Sequence, residues 1–233
     1  MTTSTDHIIK SYDTELTRLT GEIARMGELS VRQLEAAIDA VERRDARAAQ
    51  QVLDNDDAID AMEQEISHGV VRLLALRAPM AGDLRAVFAA LRVASDIERI
   101  GDYAANVAKR AIPLATLAPV APAHGLLQLS QLAAVAVRKV LKAYVESDAD
   151  NAYQVWRDDV HVDEGYDALF RELLTYMMED PRSITPCTHL LFMAKNIERI
   201  GDHATNIAEN VWFVVRGEPL DEPRAKQDRT FEA

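Results

Sequence analysis

The hexapeptide Ile97-Glu98-Arg99-Ile100-Gly101-Asp102 returns 100 residues later as Ile197-Glu198-Arg199-Ile200-Gly201-Asp202, and the match runs on through Ala104/Ala204, Asn106/Asn206 and Ala108/Ala208. A weaker echo shifts Asp56-Asp57-Ala58-Ile59-Asp60 by 103 onto Asp159-Val160-His161-Val162-Asp163, an Asp-x-x-apolar-Asp frame. Two such similar offsets imply one duplicated unit with the same order of elements in each copy.

Each unit reads as helical. Prolines fall at 79, 113, 119, 122, 181, 186, 219 and 223, leaving long proline-free blocks rich in Ala, Leu, Glu, Arg and Met. Leu16, Leu19, Ile23 and Met26 recur at three-four spacing, Leu34, Ile38 and Val41 continue the stripe, and Ile59, Met62, Ile66, Val70 and Leu73 line a second face. Breaks are expected near Arg44-Asp45 and between Ala78 and Gly82. A third helix runs from Asp83 to Ile112, where Pro113 stops it, and the Pro/Ala segment to Ala123 links the units. Leu126–Glu146, Asp148–Glu179 and Ser183–Arg216 give three more helices, with Gly217 as a glycine cap. The predicted fold is all-α: six helices in two pseudo-symmetric three-helix bundles, residues 1–115 and 116–217, followed by a mobile polar tail, 218–233.

Composition narrows the function. With 26 Lys plus Arg against 38 Asp plus Glu, the formal charge of −12 repels a phosphate backbone, so nucleic acid is not an expected partner. The single cysteine, Cys187, excludes an intrachain disulfide and any thiolate-built zinc or iron–sulfur cage, which fits a reducing cytoplasm. Met1 to Asp6 is polar and unlike an export signal, and no apolar run approaches the ~20 residues of a membrane span. A soluble protein is expected, without direct membrane insertion.

The repeated acids carry the chemistry. On a helix, residues four apart share a face, which pairs Glu98 with Asp102, Glu198 with Asp202, Asp56 with Asp60 and Asp159 with Asp163. Beside Glu98 and Asp102 lies an arc of small residues, Ala94, Gly101, Ala105 and Ala108, where another helix can approach closely. If the Asp-x-x-x-Asp helix packs there, four carboxylates gather and repel unless a hard cation neutralises them. Oxygen-only ligation points to Mg, Mn or Fe. A second reading stays open: Arg99 can pair with Asp102 at i, i+3, and Arg99/Arg199 with Asn106/Asn206 can serve packing alone.

Other signals are weaker. Glu65-x-x-His68 matches half of a di-iron bundle site, but the partner of Glu65 in the repeat is Ala168. His7, His124, His189 and His203 are scattered, Cys187 has no basic neighbour in sequence, and Trp156 and Trp212 suit packing. Gly-rich phosphate loops and the Gly-x-Ser-x-Gly nucleophile elbow are absent.

Over residues 8 to 217 the chain closely resembles the PhoU family of phosphate-transport regulators. The most specific matches are Asp96 to Asp102 with Asn106, and Ile197 to Glu209; Asp83-Leu84-Arg85 and Tyr176 to Pro181 support them. The resemblance implies metal ions held by Asp56, Asp60, Glu98 and Asp102 in the first bundle and by Asp159, Asp163, Glu198 and Asp202 in the second. Ser183-Ile184-Thr185 replaces Asp83-Leu84-Arg85 in the second half, so any role of Arg85 belongs to one bundle. It also implies a non-enzymatic brake, which represses the phosphate-starvation two-component response and restrains the high-affinity phosphate importer when phosphate is plentiful. The implied partners are a phosphate-sensing histidine kinase, the importer's ATPase subunit and a second copy of the chain. The implied place is cytoplasmic, reaching the inner membrane only through those proteins. The alternative is a carboxylate-bridged metalloenzyme, a di-iron oxidase or a phosphatase.

Overall fold

The computed structural model describes the backbone of residues 3–77 and 81–222 and the side chains of 14–76 and 82–222. The helices follow in order as α1 (Thr3–Arg43), α2 (Ala46–Asp54), α3 (Asp57–Arg77) and α4 (Ala81–Leu114), then α5 (Ala123–Glu146), α6 (Ala149–Asp158), α7 (Val160–Glu179) and α8 (Ile184–Arg216), with a 3₁₀ turn at Pro181–Ser183. Among the described residues there is no strand.

Six rods build two three-helix bundles, and the second rod of each is broken: α2 and α3 separate at residues 55–56, α6 and α7 at 159. The unbroken helix expected from Asp148 to Glu179 is therefore two helices. Asp159 keeps helical backbone angles, φ −59° and ψ −26°, so the apolar periodicity carries straight through this break. Both breaks fall on the first acid of an Asp-x-x-x-Asp frame, Asp56 and Asp159. The break expected between Ala78 and Gly82 falls largely outside the described residues. Pro113 does not stop α4 at Ile112; it sits in the last turn, and the helix closes one residue later.

The predicted stripes are the core. Leu19, Ile23, Met26, Leu34 and Ile38 of α1 and Ile59, Ile66, Val70 and Leu73 of α3 are buried in one apolar cluster shared with the second bundle. The bundles meet through α4 against α8 and α1 against α5. α4 and α8 run antiparallel. Arg110 near the end of α4 stacks over the Phe192 ring near the start of α8, 4.0 Å from its centroid, while Arg85 at the start of α4 lies beside Gly217 at the end of α8.

The turns that begin the second rods repeat as well. Arg44 and Ser147 both take left-handed backbone, φ 56° and 53°, and the next residue, Asp45 or Asp148, caps α2 or α6 through its side chain. Arg44 also donates to the carbonyls of Ala115 and Leu117, tying α1 to the inter-unit segment. Gly217 caps α8 as expected, at φ 80°, its N–H donating to Phe213 O. Beyond it Leu220 packs partly buried against the core and the Tyr153 hydroxyl donates to Glu222 at 2.7 Å. The rest of the predicted tail lies outside the described residues. Among those described, no helix is long and apolar enough to cross a membrane.

Candidate metal centre

In the first bundle the break before α3 and the close packing of α3 on α4 bring acids from two helices together. Asp60 of α3 and Glu98 and Asp102 of α4 each place a carboxylate oxygen within 4.8 Å of the others. Gly101 eases that approach: a Cβ there would lie 2.9 Å from Ile59 Cδ1 of α3. Asp56 stands one residue before α3, where Gln33 of α1 donates to its Oδ1 at 2.6 Å and to Gly101 O at 3.2 Å. Arg99 supplies the positive charge at hand, with Nη1 donating to Asp102 Oδ2 at 3.0 Å and Nε 3.5 Å from Glu98 Oε2.

The field is acidic enough to disturb titration. Burial pushes the Glu98 carboxyl up, and Asp102, Asp60 and Glu63 add to it against the opposing Arg99. Asp56 is raised in the same way by burial and by Asp102, Asp60 and Asp57, with the Gln33 hydrogen bond opposing. Two half-buried carboxylates, Glu98 and Asp102, beside the exposed Asp60, all oxygen donors, fit a hard divalent or trivalent cation, which would be held by these three with Asp56 alongside.

The second bundle arranges the same letters differently. Asp159 is buried, and a Cβ at Gly201 would lie 2.9 Å from its Oδ1, so the motif glycine here makes room for a carboxylate. Glu198 Oε1 accepts a hydrogen bond from Lys195 Nζ at 2.8 Å. Asp163 and Asp202 are half-buried. Among the described residues, a gathered group of at least three metal-ligating side chains occurs in the first bundle alone.

The comparisons with known proteins agree with the fold. The PhoU domain matches residues 23–111 and again 126–211. The chain belongs to the PhoU family. It is similar to a phosphate-specific transport system accessory protein PhoU homolog of Xylella fastidiosa, 62% identical over 96% of this chain and 94% of that one. Among solved structures it resembles PhoU from Pseudomonas aeruginosa, with a TM-score of 0.84 at 39% identity, covering 89% of this chain and 100% of that one. It also resembles the phosphate transport system regulatory protein PhoU from Streptococcus pneumoniae, with a TM-score of 0.83 at 30% identity, covering 91% and 100%.

Within this PhoU fold the repeated residues have diverged in what they hold. Arg99 stays on its own helix with Glu98 and Asp102, whereas Arg199 crosses to the Tyr103 ring of α4, 5.7 Å from its centroid. Asp96 of α4 accepts from Asn206 Nδ2 at 3.2 Å and lies 2.8 Å from His203 Nδ1, a polar clasp between the bundles. Gln33, Lys195 and this clasp escaped the sequence reading. A polar Gln33 inside the apolar stripe of α1 and the unlike pair Tyr103/His203 were the available signals. Glu65 and His68 are exposed. Cys187 is buried and its thiol is raised by that burial, with Ser183 opposing, which suits an inert packing residue.

Proposed function

We propose that this protein regulates phosphate uptake as an accessory protein of phosphate-specific transport. It holds the phosphate-starvation two-component response off and restrains the high-affinity importer while phosphate is plentiful. The observation that carries the reading is that the PhoU domain matches both repeats, beside a 62% identical relative named as a phosphate-specific transport system accessory protein. It acts without catalysis, by presenting helical faces to a phosphate-sensing histidine kinase and to the importer's ATPase subunit, and it pairs with a second copy of itself. Its place is the cytoplasm, at the inner membrane through those partners.

A cation at Asp60, Glu98 and Asp102 supplies charge neutralisation and ties α3 to α4, which stiffens the first bundle as a docking unit. The test is a strain lacking this protein and carrying a phosphatase reporter of the starvation response. Expression in phosphate-rich medium is the expected result, restored to repression by the wild-type chain. A reporter that stays silent in the deletion strain removes the regulatory reading.

A further inference from the structure

One turn before Glu98 the first bundle carries Ser95, and one turn before Glu198 the second carries Lys195. Lys195 Nζ lies 2.8 Å from Glu198 Oε1 and 5.0 Å from the centroid of the Tyr166 ring on α7. The ammonium thus joins α8 to α7, the pair of helices that a cation shared by Glu198 and Asp163 would join. The Glu198 side chain is 11% exposed, against 24% for Glu98, whose Oε2 lies 3.5 Å from Arg99 Nε. A lysine ammonium is a compact point charge with three donors, well suited to a carboxylate pocket.

We propose that Lys195 is the built-in cation of the second bundle, so that its carboxylates take no divalent ion and cation binding is confined to the first bundle. A divalent ion entering beside Glu198 must displace the ammonium or sit against a like charge. At Glu98 that cost is smaller, because the Arg99 guanidinium is farther off, 3.5 Å against 2.8 Å, and 57% exposed against 36% for Lys195, free to swing out into solvent. The ligand set that the family resemblance implies for Asp159, Asp163, Glu198 and Asp202 is on this account satisfied from within the chain. This inference extends the reading of the first-bundle acids as a cation site.

The two are separated by titrating Mn²⁺ into the full chain by calorimetry and counting equivalents bound. In wild type, Asp102→Asn should abolish binding and Asp202→Asn should leave the count unchanged. Lys195→Met should add equivalents that Asp202→Asn removes again, with Lys195→Gln as the second variant should the first lose helicity by circular dichroism. A count that falls on Asp202→Asn alone, or no gain in either Lys195 variant, overturns the inference. Wild type that binds nothing while Lys195→Met gains Asp202-dependent binding would sink the first-bundle reading and leave Lys195 standing as the second bundle's cation.

Discussion

The Gln33 amide spans 2.6 Å to Asp56 Oδ1 and 3.2 Å to Gly101 O, joining α1, the start of α3 and the motif of α4 in one contact. Gln33 is itself buried, 7% exposed. Replacing it by leucine keeps the volume and leaves Asp56 without that donor in a field of other acids. Gln33→Leu should cost about 1–3 kcal/mol in urea denaturation at neutral pH. The penalty should shrink when Asp56→Asn is added, because no charge is then stranded. An equal penalty in both backgrounds would show that Gln33 matters through packing alone.

Much of the fold was legible because its signals are local. Apolar residues at three-four spacing marked the rods, and Gly217 marked a true helix end. The breaks at 55–56 and 159 were not legible, since one or two residues that stay near helical angles do not disturb the stripe on either side. At the site, the carboxylate pairs were visible in the letters because helix geometry fixes i and i+4. Asp96 against His203 was not, since only the antiparallel crossing of α4 and α8 brings them together. Lys195 was not legible from the repeat, because its counterpart is Ser95 and a position that differs between the copies carries no repeat signal.

Glu98 gives a pH dependence with a definite sign. Its carboxyl is raised above the ordinary value by burial first, then by Asp102, with Asp60 and Glu63 adding and Arg99 opposing. A raised carboxyl stabilises the fold below its unfolded pKa and loses that contribution as pH climbs through the folded one. In chelator at pH 7, Glu98→Gln should therefore melt above wild type, by the relief of ~0.2–0.5 kcal/mol per like-charged helical neighbour. The difference should vanish below about pH 4, where wild-type Glu98 is protonated. Adding Mn²⁺ should raise the wild-type melting temperature more than the variant's. Equal melts in chelator at pH 7 would contradict the electrostatic account.

Ser147 and Arg44 occupy the same left-handed turn in the two repeats, yet their replacement by glycine should differ. At φ 53° a serine carries strain of roughly 1 kcal/mol that glycine lacks. Ser147→Gly should raise the unfolding free energy by up to about that amount. Arg44→Gly relieves the same strain but loses the hydrogen bonds to Ala115 and Leu117 carbonyls, so it should not stabilise. Chemical denaturation of both variants distinguishes them, and a gain from Arg44→Gly as large as from Ser147→Gly would show that the tie to residues 115–117 carries no weight.

Gly101 and Gly201 are the same letter of the repeat, but they face different neighbours. A methyl at Gly101 meets Ile59 Cδ1 at 2.9 Å and Cγ2 at 3.2 Å, apolar atoms of one buried side chain, so that yielding there strands no charge. At Gly201 it meets Asp159 Oδ1 at 2.9 Å and Val162 Cγ1 at 3.1 Å. Asp159 is 4% exposed, so yielding there displaces a buried carboxylate along with the start of α7. Alanine in a helix interior gains about 1 kcal/mol over glycine, which offsets much of the strain at 101 and less of it at 201. Gly201→Ala should destabilise by about 1–3 kcal/mol, with Gly101→Ala closer to wild type. Amide exchange should speed up at residues 160–163 in Gly201→Ala, where Val162 N–H and Asp163 N–H bond back to Asp159 O. The reverse order of stabilities would mean that the Ile59 contact is the tighter constraint and that the carboxylate of Asp159 moves freely.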